Sequence, residues 1–167
     1  DALGHGGMGI DYRPPRPWAD EDAMLTYYAE HVAKTTVRQI EALRSIRIVS
    51  CAAGNRHSLA SSDDGRVFSW GENKKGRLGN GLKSGSSSTP VCVPFPDGVL
   101  VREVSAGFHS LAVSRTNTAY GWGLNNLRQL GCVGNGPEGG LYEVRPLQVA
   151  YTEERIKHAV AGAFMSV

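Results

Sequence analysis

The sequence is poor in cysteine, with Cys51, Cys92 and Cys132 the three it holds. They lie too far apart for a metal-binding knuckle, and an odd count argues against a secreted disulfide framework. That shortage points to an intracellular, reducing compartment. No stretch approaches the roughly 18 consecutive apolar residues of a membrane-spanning helix, so no span is expected. Charge of one sign is lacking too: 18 Lys and Arg against 16 Asp and Glu leave a net charge of +2. That is too little by itself to argue for nucleic acid or a membrane surface. Divided after Arg47, the chain has 6 basic and 7 acidic residues before the cut, then 12 and 9 after it, so neither part is a polybasic tail. The chain opens at Asp1 with neither Met nor a basic-then-apolar leader. It reads as a processed chain or as part of a longer one.

Glycine, by contrast, is plentiful at 21 of 167 residues, while aromatic residues make up 8%. This suits short strands joined by tight turns. Internal repetition is the strongest signal. The stretch from His57 to Gly79 aligns without gaps on the stretch from His109 to Gly131, an offset of 52 residues, with ten of 23 positions identical. The matches fall on informative residues: His57 on His109, Trp70–Gly71 on Trp122–Gly123, Asn73 on Asn125, and Leu78–Gly79 on Leu130–Gly131. A related lead-in precedes each copy, Val49 to Gly54 and Val104 to Gly107, and a third runs from His158 to Val167.

Each copy reads as a small antiparallel sheet. His57 to Ala60 and Arg66 to Trp70 are strand-like runs flanking Asp63–Asp64–Gly65, a strong hairpin signal. In the second copy Asn117 stands at the place of Gly65, and both residues tolerate positive φ. Further strands are expected near Val91–Val93, Val101–Ser105, Pro146–Val149 and Ala159–Val167. About four short strands in each period of roughly fifty residues is the pattern of propeller blades. The expected class is therefore all-β: two blades and part of a third, preceded by an extended arm and one α-helix. The boundaries are 1–47 for the arm and helix and 48–167 for the repeats, subdivided at 48–100, 101–155 and 156–167.

The first 47 residues differ in kind. Tyr12 to Trp18 contains Pro14, Pro15 and Pro17 and should be extended. Asp20 offers an N-cap. Leu25, Tyr28, Ala29, Val32, Thr36, Val37, Ile40 and Leu43 then recur at helical spacing, giving an apolar face over about 23 residues that docks on the propeller or on a partner. Trp18, Leu25, Tyr28 and Val32 are its candidate contact residues.

The combination of Gly54, His57–Ser58–Leu59, Trp70–Gly71 and Leu78–Gly79 resembles the repeat of the regulator of chromosome condensation family. So does Gly107 with His109–Ser110–Leu111, Trp122–Gly123 and Leu130–Gly131. The likeness covers about 48 to 167. Three departures stand out: the second copy is one residue shorter between Gly107 and His109, Met165 takes the place of the histidine in the third, and Arg128 replaces the glycine represented by Gly76. The resemblance implies a propeller, commonly seven-bladed, that in its best-known member acts as a guanine-nucleotide exchange factor for a small GTPase. Other relatives are protein-binding scaffolds, chromatin binders or photoreceptors, and fold alone does not choose among them. A blade buries both faces only between neighbours, so two blades and a fraction imply further blades or other chains at the edges.

Candidate chemistry is sparse. His57 and His109 could be general bases, but one active site does not need the same residue in every blade. They read instead as buried imidazoles hydrogen-bonded to backbone. Trp70 and Trp122 read as blade packing, because the lead-ins lack the extra tryptophans of a light-sensing cluster. Gly4 to Gly9 matches the spacing of a dinucleotide fingerprint, yet no strand precedes it and no helix opens there, so no cofactor is expected. No metal site is expected either. Lys74, Lys75, Arg77 and Lys83 form a basic loop that could meet an acidic protein or nucleic-acid phosphate. Gly85 to Thr89 reads as a flexible loop open to phosphorylation. The expected function is a non-catalytic scaffold for protein contacts within a larger complex. The alternatives are exchange on a small GTPase, and an RNA- or chromatin-associated role.

Overall fold

The computed structural model describes residues 38–131, 140–149, 156–163 and 165–166. Trp18, Leu25, Tyr28 and Val32 lie outside the described residues, as does most of the segment expected to be helical. Its last part departs from the expectation. Ile40 is extended (φ −80, ψ 101), and only a single 3-10 turn, Glu41–Leu43, follows. The reason is packing: Ile40, Leu43, Ile46 and Ile48 spread over one sheet face and cover Ala60, Phe68 and Trp70. Following that flat surface overrides the helical period.

Eight strands occur among the described residues: β1 Ile48–Ala53, β2 His57–Ser62, β3 Val67–Glu72, β4 Ser86–Cys92, β5 Val101–Ala106, β6 His109–Ser114, β7 Ala119–Leu124 and β8 Tyr142–Gln148. They form two four-stranded antiparallel sheets in sequence order, β1 to β4 and β5 to β8. The two hairpin turns match. In the first, Ser62 N–H donates to the Arg66 carbonyl at 2.9 Å and Gly65 has φ 89; in the second, Ser114 N–H donates to the Thr118 carbonyl at 2.9 Å and Asn117 has φ 63. Both turns need a left-handed residue, and Asn supplies it at modest cost.

β4 and β8 begin earlier than expected. Ser86 and Ser87 pair with Glu72 and Gly71, so the serine-rich stretch expected as a flexible loop is the first half of an edge strand. Backbone pairing decides this against the low strand propensity of serine. Pro90 is accommodated because β4 is an edge and its register shifts between Ser69 and Gly71.

Side-chain alternation places the core. Along β2, Leu59 belongs to the cluster between the sheets, with Val67, Val101, Val104, Ala112 and Trp122, while Ala60 points the other way. In the second sheet, Ala112 and Trp122 face the first sheet, and Leu111 and Val113 face Ala159 and Ala161 of the third lead-in. Each blade thus turns its leucine forward and its alanine and tryptophan back. The inner strands β2 and β6 are buried along their whole length, because both of their faces are covered. Ser50 Oγ accepts the Val104 N–H at 3.2 Å, and Ser105 Oγ accepts the Ala161 N–H at 2.9 Å, so successive lead-ins are latched in the same way. The third lead-in, expected as a strand over Ala159–Val167, forms only a bridge between Ala161 and Ser166 among the described residues.

Candidate functional site

The loop between β3 and β4 holds the candidate contact residues, and its shape comes from a buried amide. Asn73, 1% exposed, donates from Nδ2 to the Leu82 carbonyl (2.9 Å) and to Asn80 Oδ1 (3.0 Å), while its Oδ1 accepts the Leu78 N–H at 2.9 Å. Asn125 repeats this, accepting the Leu130 N–H at 3.1 Å and donating to the Gly140 carbonyl at 3.0 Å. Such internal bonding holds a loop in one shape although little of it is regular structure. Lys75 sits at φ 61 and Gly76 at φ 75. A Cβ on Gly76 would lie 2.8 Å from the Glu143 carbonyl oxygen, so this turn of the first blade rests directly on β8 of the second.

The four basic residues of the loop part company. Arg77 is buried, with Nε donating to the Lys74 carbonyl at 3.0 Å and Nη1 lying 3.5 Å from Glu72 Oε2. That last separation is an ion pair, without hydrogen-bond geometry at the nitrogen. Lys75 and Lys83 place their ammonium groups 5.0 and 5.2 Å from the ring centre of Tyr142, across the seam in the second blade. Lys74 is exposed.

The carbonyl of Arg77 is the centre of that seam. It accepts Ser110 Oγ–H at 2.8 Å and the Trp122 indole N–H at 2.9 Å, both from the second blade. His57 Nε2 then lies 2.8 Å from the same Ser110 oxygen. Because the serine spends its only proton on the carbonyl, His57 must be the donor, protonated at Nε2 and bare at Nδ1. The buried Nδ1 has no hydrogen-bond partner. Burial, reinforced by the charge of Arg77 and by His109, lowers the His57 pKa from 6.5 to about 3. The next seam is built alike: Ser166 Oγ–H donates to the Gln129 carbonyl at 2.6 Å, and His109 Nε2 lies 2.7 Å from Ser166 Oγ. Burial lowers the His109 pKa to about 4. The histidines are therefore buried and neutral, but their partner is the serine of the following repeat and not the backbone.

The tryptophans follow the same logic. Trp122 is fully buried between the sheets with Phe95 edge-on at 5.7 Å. Trp70 occupies the equivalent place on the back of the first sheet, where its indole nitrogen is buried without an acceptor. It lines an apolar pocket of about 310 Å³ with Ile40, Leu43 and Ser58.

Two family models describing the regulator of chromosome condensation (RCC1) repeat match, one at residues 64–113 and one at residues 48–77. The chain carries RCC1-like repeats. Its two sheets are blades of a partial β-propeller. Curated relatives include the human probable E3 ubiquitin-protein ligase HERC6, 41% identical over 100 residues, a match covering 59% of this chain and 10% of the relative. The Arabidopsis thaliana ultraviolet-B receptor UVR8 is 40% identical over 94 residues, covering 56% of this chain and 21% of the receptor. The chain thus spans between a tenth and about a fifth of these relatives. Among solved structures, human WBSCR16 is similar with a TM-score of 0.59 and 27% identity, over 69% of this chain and 28% of that one. Saccharomyces cerevisiae Prp20p shares the fold with a TM-score of 0.55 and 23% identity, over 68% of this chain and 28% of that one.

The three departures from the RCC1-like repeat now have structural readings. Arg128 takes φ 58, so the left-handed turn occupied by Gly76 is kept with an arginine in it. The shorter connection before His109 closes as its longer counterpart does, with Gly107 N–H donating to the His109 carbonyl at 2.8 Å and Gly54 N–H to that of His57 at 2.8 Å. Met165 replaces the histidine, yet Ser166 beside it still completes the seam with His109. Reading each repeat alone misses this bond, because its two halves belong to different blades. The signal was present in the His–Ser pairs at 57–58 and 109–110, with Ser166 recurring alone.

Proposed function

We propose that these blades belong to a non-catalytic propeller that holds another protein, within a larger assembly. One observation carries this reading. Among the described residues, the buried ionisable groups His57, His109 and Arg77 are spent within and between the blades: the histidines clamp serines across the seams, and the Arg77 guanidinium donates to the Lys74 carbonyl and pairs with Glu72. What the fold then presents to solvent is a set of loops held in fixed shapes by Asn73 and Asn125, a geometry suited to recognition. The relatives support the same view. Proteins named as a probable ubiquitin ligase and as an ultraviolet-B receptor are similar to this chain over the repeat, which supports a shared surface better than a shared reaction. The ligase named in HERC6 is a property of a chain about ten times as long as the matched part.

The test is co-purification of the full-length protein followed by mass measurement of the eluted species. A defined complex is expected. A clean monomer with no stable partner overturns the reading.

A further inference from the structure

The two ends of the blades differ in charge. In each antiparallel sheet the β1–β2 and β3–β4 connections, and their β5–β6 and β7–β8 equivalents, lie at one end. That rim carries Arg56, Lys74, Lys75, Lys83, Arg128 and Arg145, with Arg56, Lys74, Lys83, Arg128 and Arg145 exposed. Against them, among the described residues, stand Glu72, which is already close to Arg56 (4.0 Å) and Arg77 (3.5 Å), and Glu143, which is buried. The opposite end is more nearly balanced. There Arg66 pairs with Asp64 at 2.7 Å and Arg102 with Glu103 at 3.3 Å, and among the described residues Arg47, Arg115 and Lys157 stand beside Asp63 and Asp97.

The cations of the rim are gathered by the fold and are not scattered. Lys75 and Lys83 of the first blade converge on the Tyr142 ring of the second, and a Cβ on Gly81 would lie 3.1 Å from Arg145 Nε, so Arg145 closes against the same loop. Bringing like charges together raises the local potential and favours an anionic partner. The same rim exposes aliphatic side chains, Leu82 at 60%, Leu127 at 61% and Leu141 at 44%. A phosphate backbone would use the cations and leave these leucines in water. A polypeptide carrying both acids and aliphatic residues would cover both.

We infer that this rim binds an acidic, aliphatic-bearing segment of a partner protein. The inference rests on the scaffold reading above and narrows it to one end of the blades. It is tested with a fluorescein-labelled peptide of repeated Glu-Leu-Asp units, read by anisotropy on the whole chain. Lys74→Glu with Arg145→Glu on the rim is compared with Arg47→Glu and Lys157→Glu, which change the net charge equally at the opposite end. The rim pair is expected to weaken binding about tenfold or more and to reduce its salt dependence, while the opposite pair changes it little. Equal losses in both variants, or none in the rim pair, overturn the inference. So does tighter binding of single-stranded oligodeoxythymidine than of the peptide. If the rim variant does not fold, as judged by its circular dichroism melt, Lys74→Gln with Lys83→Gln replaces it under the same criteria. Capture of the co-purifying partner is measured in parallel. A partner retained by the rim variant, with no peptide binding to the unmodified chain, sinks the rim and leaves the scaffold reading standing; absence of any partner sinks the scaffold reading itself.

Discussion

Acidification should pull the blades apart through one nitrogen. His57 is buried at the seam with Nε2–H committed to Ser110 and Nδ1 without a partner, and its pKa falls from 6.5 to about 3. A histidine held neutral in the folded state contributes its full stability above its unfolded pKa and loses it as pH falls towards the folded value. Between pH 8 and pH 5 the unfolded imidazole gains nearly a full proton while the folded one gains almost none. The loss works out at about 2 kcal/mol from His57. His109, lowered to about 4 by burial, adds a loss of the same sign. In urea denaturation at the two pH values, His57 accounts for a midpoint lower by about 1 M at pH 5, and His109 adds a further fall of similar size. His57→Gln is the decisive comparison, because its amide N–H can still reach Ser110 but does not titrate in this range. Its stability should vary less with pH than that of the unmodified chain, by about the same 2 kcal/mol. A flat profile for the unmodified chain, or an unchanged slope in His57→Gln, would refute the argument.

Three further outcomes are expected. Leu59→Ala empties a fully buried position between the sheets and should cost about 2–5 kcal/mol in chemical denaturation, against less than about 0.5 kcal/mol for a polar replacement of exposed Leu82. Trp122→Phe removes one of the two donors to the Arg77 carbonyl and part of a buried ring, so a loss of about 2 kcal/mol is expected, measured with Trp70 still present as the fluorescent reporter. Arg128→Gly relieves a left-handed backbone at an exposed position and should stabilise by about 1 kcal/mol, seen as a thermal midpoint a few degrees higher.

The blades were legible from the sequence because repetition samples one fold twice. Where the letters differ but the geometry is shared, as with Gly65 and Asn117, turn chemistry was enough to read both. The serine-rich start of β4 was not legible, since edge-strand pairing with Gly71 and Glu72 comes from the sheet and not from local propensity. Nor was the end of the N-terminal segment, where the apolar spacing of Ile40 and Leu43 fits a helix but the residues pack flat on Ala60, Phe68 and Trp70. The candidate site was half visible. The basic loop is there, yet adjacency in sequence could not tell that Arg77 turns inward while Lys75 and Lys83 cross to Tyr142, because that depends on how two sheets are angled. The exposed Arg128 and Arg145 join the rim from a different repeat, so no window of sequence contains it.

Cross-linking mass spectrometry on the purified complex of the full-length protein addresses the scaffold claim most directly. Lysine-reactive links from the partner to Lys74 and Lys83, on the loops that Asn73 holds in place, are the predicted result. Links confined to Lys157 at the other end of the blades, or no inter-protein links at all, would contradict it.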